Sequence, residues 1–206
     1  MTAADYLPQR RSLPALARAA QACQGCELYK RATQAVFGEG PAKARVILIG
    51  EQPGDSEDLE GRPFVGPAGK LLDHALEEAG IERSDVYITN AVKHFKWTPQ
   101  GKRRLHKKPS ARELAACQPW LEAEFEVIRP EVAVCLGATA AQRLLGRTFR
   151  ITTQRGEFVA TDWSRLTLAT WHPSAILRAP DKDARDQKRR EFIDDLQKVA
   201  RKLAGR

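Results

Sequence analysis

Two apolar runs without polar alternation divide the chain. Val46, Ile47, Leu48 and Ile49 form the first, and Val132, Ala133, Val134, Cys135 and Leu136 the second. Each reads as a strand covered on both faces. Residues 85 to 89 (DVYIT) read as another strand, and 157 to 160 (EFVA) and 166 to 170 (LTLAT) as weaker ones. Between them the period lengthens to that of helices. Residues 68 to 80 carry Leu71, Leu72, Ala75, Leu76 and Ala79 on one stripe and stop at Gly80. Residues 110 to 128 begin with Ser110 and Glu113 at capping-box spacing. Shorter helices are predicted over 13 to 22, opened by Ser12 and Pro14, and over 138 to 145. The last segment, 182 to 204, repeats Phe192, Ile193, Leu196, Val199, Ala200 and Leu203 among charges, as a helix closing the domain does. Residues 95 to 110 have no period and read as one long polar loop, a length that usually carries function.

Alternation of this kind describes an α/β protein, in which ligands bind outside the carboxyl ends of the strands. The chemistry should therefore follow each strand. After Ile49 come Gly50, Glu51, Gln52, Asp55 and Phe64, in a stretch kept irregular by Pro53, Gly54, Gly61, Pro63, Gly66, Pro67 and Gly69. GPAGK invites a phosphate-loop reading. That pattern needs Gly at 64 and Ser or Thr at 71, where this chain has Phe64 and Leu71, so a nucleotide triphosphatase is excluded. Phe64 is instead an aromatic plate for a planar ligand. Asn90 ends the second strand, either as a plain terminator or as a donor and an acceptor for a base edge. His172 follows the strand at 166 to 170 and is held by Pro173. His74 lies beside the stripe of its helix and reads as a surface imidazole.

At 206 residues and 42% hydrophobic, the chain is expected to form one domain, 1–206. No apolar run approaches the ~20 residues of a membrane span, and the N-terminus lacks a signal-peptide core, so a cytoplasmic protein with reduced thiols is expected. The formal charge of +8 points to a polyanionic partner, most of all where GKRRLHKK gathers Lys102, Arg103, Arg104, Lys107 and Lys108 around His106. Cys23 and Cys26 form a C-x-x-C pair. It follows a helix rather than opening one, which favours a zinc or iron–sulfur site over a redox dithiol.

GEQPG at the first strand end, GRPFVGPAGKLLD after it, TNAVK at the second strand and WHPSAILR near the end resemble the uracil-DNA glycosylase superfamily, in its iron–sulfur-containing class. The resemblance runs from about Cys23 to Arg178. Gln52 and the inserted KRRLH further resemble the UdgX-type subgroup, whose members become covalently attached to the DNA from which they remove uracil. The resemblance implies a three-layer α/β/α fold around a mostly parallel four-stranded sheet, with a ligand segment at about 12–30 and a basic insertion at about 95–110. It implies a 4Fe–4S cluster held by Cys23, Cys26, His94 and Cys117, with Cys135 as a small buried hydrophobe. Cys135 in place of His94, or zinc in the same cage, are the alternatives.

For the reaction, the resemblance implies that Phe64 stacks on uracil, Asn90 reads its edge, the Gln52 backbone amide holds a carbonyl and His172 bonds the uracil O2. It further implies that His106 is the nucleophile at the sugar, that Glu51 accepts its proton or orients it, and that Asp55 supports this network. Arg178, Lys102, Arg103, Arg104 and Lys107 meet phosphates. The implied partner is uracil-containing DNA, single-stranded or with the base swung out of a duplex, bound by a monomer that makes no use of a membrane. A multiple-turnover glycosylase, or a DNA-binding module without chemistry, are the alternative readings.

Overall fold

The computed structural model describes residues 1–205. Helix α1 (Leu13–Ala20) leads to strand β1 (Val46–Gly50), a short α2 (Asp55–Glu60) and α3 (Pro67–Ala79). Strand β2 (Val86–Asn90) is followed by β3 (Trp97–Gln100), β4 (Arg103–His106) and α4 (Ala111–Ile128). Then come β5 (Val132–Leu136), α5 (Ala138–Leu144), α6 (Ile151–Gln154), β6 (Phe158–Val159), β7 (Thr167–Thr170), α7 (Pro173–Leu177) and α8 (Lys182–Ala204).

Five strands form the main sheet in the order β2-β1-β5-β7-β6. The first four are parallel, and β6 adds a two-residue antiparallel edge to the expected four. Because successive side chains of a strand point to opposite faces, β1 feeds two cores. Val46 and Leu48 pack with Leu72 and Leu76 of α3 and Phe192 and Leu196 of α8. Ile47 and Ile49 pack with Leu121 and Phe125 of α4 and Leu144 of α5. These are three layers, α/β/α. A third cluster joins the opposite side of α4, through Cys117, Trp120 and Ala123, to Leu16, Ala20 and Cys23 of the N-terminal segment. Among the described residues, no helix is long and apolar enough to cross a membrane.

Two stretches expected to be irregular are not. Residues 55–60 form α2, whose Glu57 accepts hydrogen bonds from the amides of Gly54 at 3.0 Å and Gly66 at 2.8 Å. One carboxylate thereby fixes both ends of the Gly/Pro-rich segment. The predicted loop at 95 to 110 is largely a hairpin, β3 against β4 with Trp97 opposite His106 and a turn at Gly101 and Lys102. This two-stranded sheet does not join the main one.

Candidate active site

In-register parallel pairing brings the strand ends together: Gly50 lies opposite Asn90, and Leu136 opposite Thr170. The residues that follow each strand line one cavity of about 350 Å³, within the range of small-molecule sites. It takes Glu51 and Gln52 from the β1 end, Asn90 from β2, Thr139 from the first turn of α5, and His172 and Arg178 from α7 and its flanks. Phe64 and His106 complete it. A Cβ at Gly50 would stand 2.3 Å from Asn90 Oδ1 and 2.9 Å from the Phe64 ring, so only glycine allows these two groups to approach β1 this closely.

Asn90 is 2% exposed, and its Oδ1 has no hydrogen-bond partner among the described residues. A buried acceptor left unmatched costs about 1–3 kcal/mol, so an external donor is the natural partner for this atom. Phe64 holds a left-handed backbone, φ 55°, and its ring lies 5.8 Å from that of His172, inclined by 27°. His172 Nδ1 accepts the Ser174 amide hydrogen at 3.1 Å. With Nδ1 an acceptor, the neutral ring carries its proton on Nε2 and is a donor there. Burial, helped by Arg178 and His106, lowers its pKa to about 4, so that neutral donor is the form present at pH 7.

His106 stands half-exposed at the rim with Nε2 3.7 Å from Glu51 Oε1, too far for a hydrogen bond but close enough for charge to matter. Burial pushes its pKa below the ordinary value, Glu51 opposes the shift and Arg178 adds to it, so this imidazole too is neutral at pH 7. The other oxygen of Glu51 accepts a hydrogen bond from the Thr139 hydroxyl.

The hairpin that carries His106 is fastened at its base and on one side. At the base, Gln52 Nε2 donates to the Lys107 carbonyl at 3.0 Å, and its Oε1 accepts the Lys96 amide hydrogen at 3.1 Å. Gln52 was expected to act through its backbone; its side chain is the tie between the two legs. On the side, Arg104 turns inward, pairing with Asp55 and with fully buried Asp58, whose Oδ2 lies 2.6 Å from Nη1. Its guanidinium also lies 5.5 Å from the ring centroids of both Phe95 and Trp97. Asp55, expected beside Glu51, thus faces Arg104. Of the cations expected to meet phosphate, Lys102, Arg103 and Lys107 are exposed, whereas Arg104 is occupied within the fold. His74 is an exposed side chain of α3, as expected.

Thr139, Glu57, Asp58 and Ser174 were not foreseen. Thr139 had a signal, because it follows the end of β5 as Glu51 follows β1. The others act through partners distant in sequence or by backbone contact.

On the far side of α4 the cysteines meet. Burial raises the Cys26 thiol and takes Cys117 up to about 12, and Cys23 lies near enough to add to both shifts. Each sulfur has an N–H donor: Trp120 Nε1 to Cys23 and the Lys93 amide to Cys117, both at 3.3 Å, and the Leu28 amide to Cys26. His94, adjacent to Lys93, is buried and held neutral, with a pKa lowered to about 4 by burial. Cys135 is sealed within β5, in the opposite core cluster, and its thiol is raised by burial alone. The position therefore tells against Cys135 as the fourth ligand. Among the described residues, no three of His, Cys, Asp and Glu stand at the spacing of a single-ion site.

Parallel strand ends that converge an unmatched amide, an aromatic plate and a neutral imidazole, beneath a hairpin of exposed cations, define a site for a flat polar ring carried on a polyanion. Residues 37–197 match the family model described as the uracil DNA glycosylase superfamily, and the chain belongs to that superfamily. It is 41% identical over 180 residues to the type-4 uracil-DNA glycosylase of Thermotoga maritima, covering 86% of this chain and 87% of that one. It is 38% identical over 202 residues to the type-4 enzyme of Archaeoglobus fulgidus, covering 95% and 94% of the two chains. The type-4 enzyme of Saccharolobus solfataricus is 36% identical over 203 residues, 95% of this chain and 88% of that one.

Proposed function

We propose that this chain, a uracil-DNA glycosylase by family, ends its reaction joined to DNA through His106. The observation that carries the reading is the placement of a neutral imidazole at the mouth of the base cavity, 3.7 Å from Glu51, on an element fastened at two points. Uracil swung out of the stack enters between Phe64 and the strand ends. Asn90 offers its unmatched Oδ1 to the N3–H of the base and its amide hydrogens to O4. The N1–C1′ bond breaks, and its electron pair leaves with uracil. His172 Nε2–H donates to the O2 of the leaving anion, a preorganised donor placed where charge develops. Glu51 supplies negative charge beside the electron-poor sugar. The Nε2 lone pair of His106 then bonds to C1′, and the resulting imidazolium loses its Nδ1 proton to solvent. A side chain held at the mouth of the cavity outcompetes water by its effective concentration.

In the test, a uracil-containing oligonucleotide gives with wild type a protein–DNA species that survives denaturant and boiling, and with His106→Ala gives free abasic product. Multiple turnovers without an adduct would overturn the proposal in favour of conventional glycosylase action. That second reading has its own support, since the relatives above carry the name of type-4 glycosylases.

The same reading places a 4Fe–4S cluster on Cys23, Cys26, Cys117 and His94. Supporting it are three clustered thiols, each with an N–H donor of the kind that tunes cluster sulfurs, and a neutral buried imidazole. A cluster binds each ligand to a different iron, so its ligands stand wider apart than those of zinc. When bound it supplies a covalent brace between the N-terminal segment and α4. Iron and inorganic sulfide should copurify in equal amounts and be lost in Cys117→Ser; a protein free of both, or one holding zinc, would refute the assignment. The chain then acts as a monomer in a cytoplasm that keeps thiols reduced.

A further inference from the structure

The Glu51 carboxylate has two oxygens and two different neighbours. Oε1 faces His106 across 3.7 Å, and Oε2 accepts the hydroxyl hydrogen of Thr139. Thr139 is buried, 7% exposed, and lies in the first turn of α5. The turn below it is tightly packed. Gly137 has φ 88°, and a Cβ there would lie 2.9 Å from the Cβ of His172, so the turn after β5 is wedged directly against the imidazole that meets the leaving base. One short segment therefore braces both the group that stabilises the departing anion and the carboxylate that faces the cation.

We propose that Thr139 is a positioning residue that sets the fate of the sugar once uracil has left. By occupying Oε2, its hydroxyl stops the carboxylate from rotating and leaves Oε1 turned to His106. The carboxylate then steadies the positive charge as it passes from C1′ to the imidazole ring. With the hydroxyl gone, Glu51 is free to turn both oxygens to solvent and to bind a water molecule beside C1′. That water adds to C1′ through its oxygen and gives up a proton to Glu51, and the product is a free abasic sugar. Thr139 touches neither base nor sugar in this account; it acts through Glu51.

The inference rests on the covalent reading above, and one assay separates the two. Thr139→Val replaces the hydroxyl by a methyl group of nearly equal size, and Thr139→Ser restores it. On uracil-containing oligonucleotide the ratio of adduct to free abasic product is read after complete conversion. The expected result is a fall in that ratio of about tenfold or more in Thr139→Val, the scale of a misplaced catalytic group, with Thr139→Ser close to wild type. Thr139→Ala provides the same readout if the valine variant does not fold. A merely structural role would slow both products together and leave the ratio unchanged. Wild-type adduct with an unchanged ratio in the valine and alanine variants overturns the role of Thr139 alone, and so does a serine variant that behaves like valine. No adduct from wild type overturns the covalent reading and this inference with it.

Discussion

His106 shows how much a single residue's surroundings decide. An imidazole is a nucleophile only when neutral, and partial burial with Arg178 nearby lowers the pKa of this one against the pull of Glu51. The sign follows directly. The neutral form persists below the ordinary value of 6.5, so the rate of adduct formation should stay level as pH falls through 6.5 and decline only below it. Single-turnover rates across that range check this, and a decline centred at or above 6.5 would contradict it. Glu51, Asn90 and His172 were legible in the sequence because each stands at or just beyond the carboxyl end of an expected strand, though the strand before His172 was one of the weaker ones. The tautomer of His172 was not, since it depends on the Ser174 amide reaching back to Nδ1. The place of Thr139 just beyond β5 was a signal, but its part in the site was not legible, because a hydroxyl early in a helix reads as ordinary until its carboxylate partner, 88 positions earlier, is beside it.

At the level of elements, the hairpin of β3 and β4 is the part least evident from sequence. Pro99, Gly101 and the surrounding cations erase any period-two pattern, and the stabilising contacts come from elsewhere: Gln52 at its base, Asp55 and Asp58 on α2. Helix α2 was missed for a related reason. Six residues between glycines are too short for a stripe, and Glu57 holds them by bonding backbone at Gly54 and Gly66. The inward turn of Arg104 separates it from its neighbours experimentally. Lys102→Ala or Arg103→Ala should reduce the salt dependence of DNA binding, by about 0.7–0.9 in the log–log slope for each phosphate that the replaced side chain had neutralised. Arg104→Ala should instead leave buried Asp58 short of its cation, lowering stability by about 3 kcal/mol in urea denaturation and reducing adduct yield through a loosened hairpin. A change in salt slope without loss of stability in Arg104→Ala would reverse that assignment.

Across the whole molecule, the site and the cysteine cage share a wall. Lys93 and Glu124, almost fully buried, pair at 2.6 Å between them. The ammonium of Lys93 also bonds Thr89 at 2.6 Å and the Asn90 carbonyl at 3.0 Å, while its amide reaches Cys117. Glu124 in turn accepts from Tyr87 and Thr89, both at 2.9 Å. The pair occupies the space behind β2 with every charge answered. Removing one partner strands the other, so Glu124→Gln should cost about 3–5 kcal/mol in chemical denaturation, and adding Lys93→Met should recover part of that loss. A double variant less stable than the single one would contradict the pairing argument. The alternation of strands and helices was readable because both faces of the sheet are sealed by apolar stripes; this polar seam was not, since TNAVK reads the same whether Lys93 points out or in.

The hairpin hydrogen-bonds to no strand of the main sheet. It is an attachment to a sheet that is complete without it, held through Gln52, Asp55 and Asp58. Replacing residues 98–106 by a short linker, together with Asp58→Asn so that no buried carboxylate is left without its cation, should on the covalent reading leave a folded, repeatedly cycling hydrolase, measurable as uracil released in excess of protein. Conversely, a related glycosylase given this hairpin together with its sockets at positions 52, 55 and 58 would acquire a chemical trap. On the covalent reading, whether such an enzyme heals a lesion or marks it permanently would then be decided by a peripheral ornament and the few side chains that seat it.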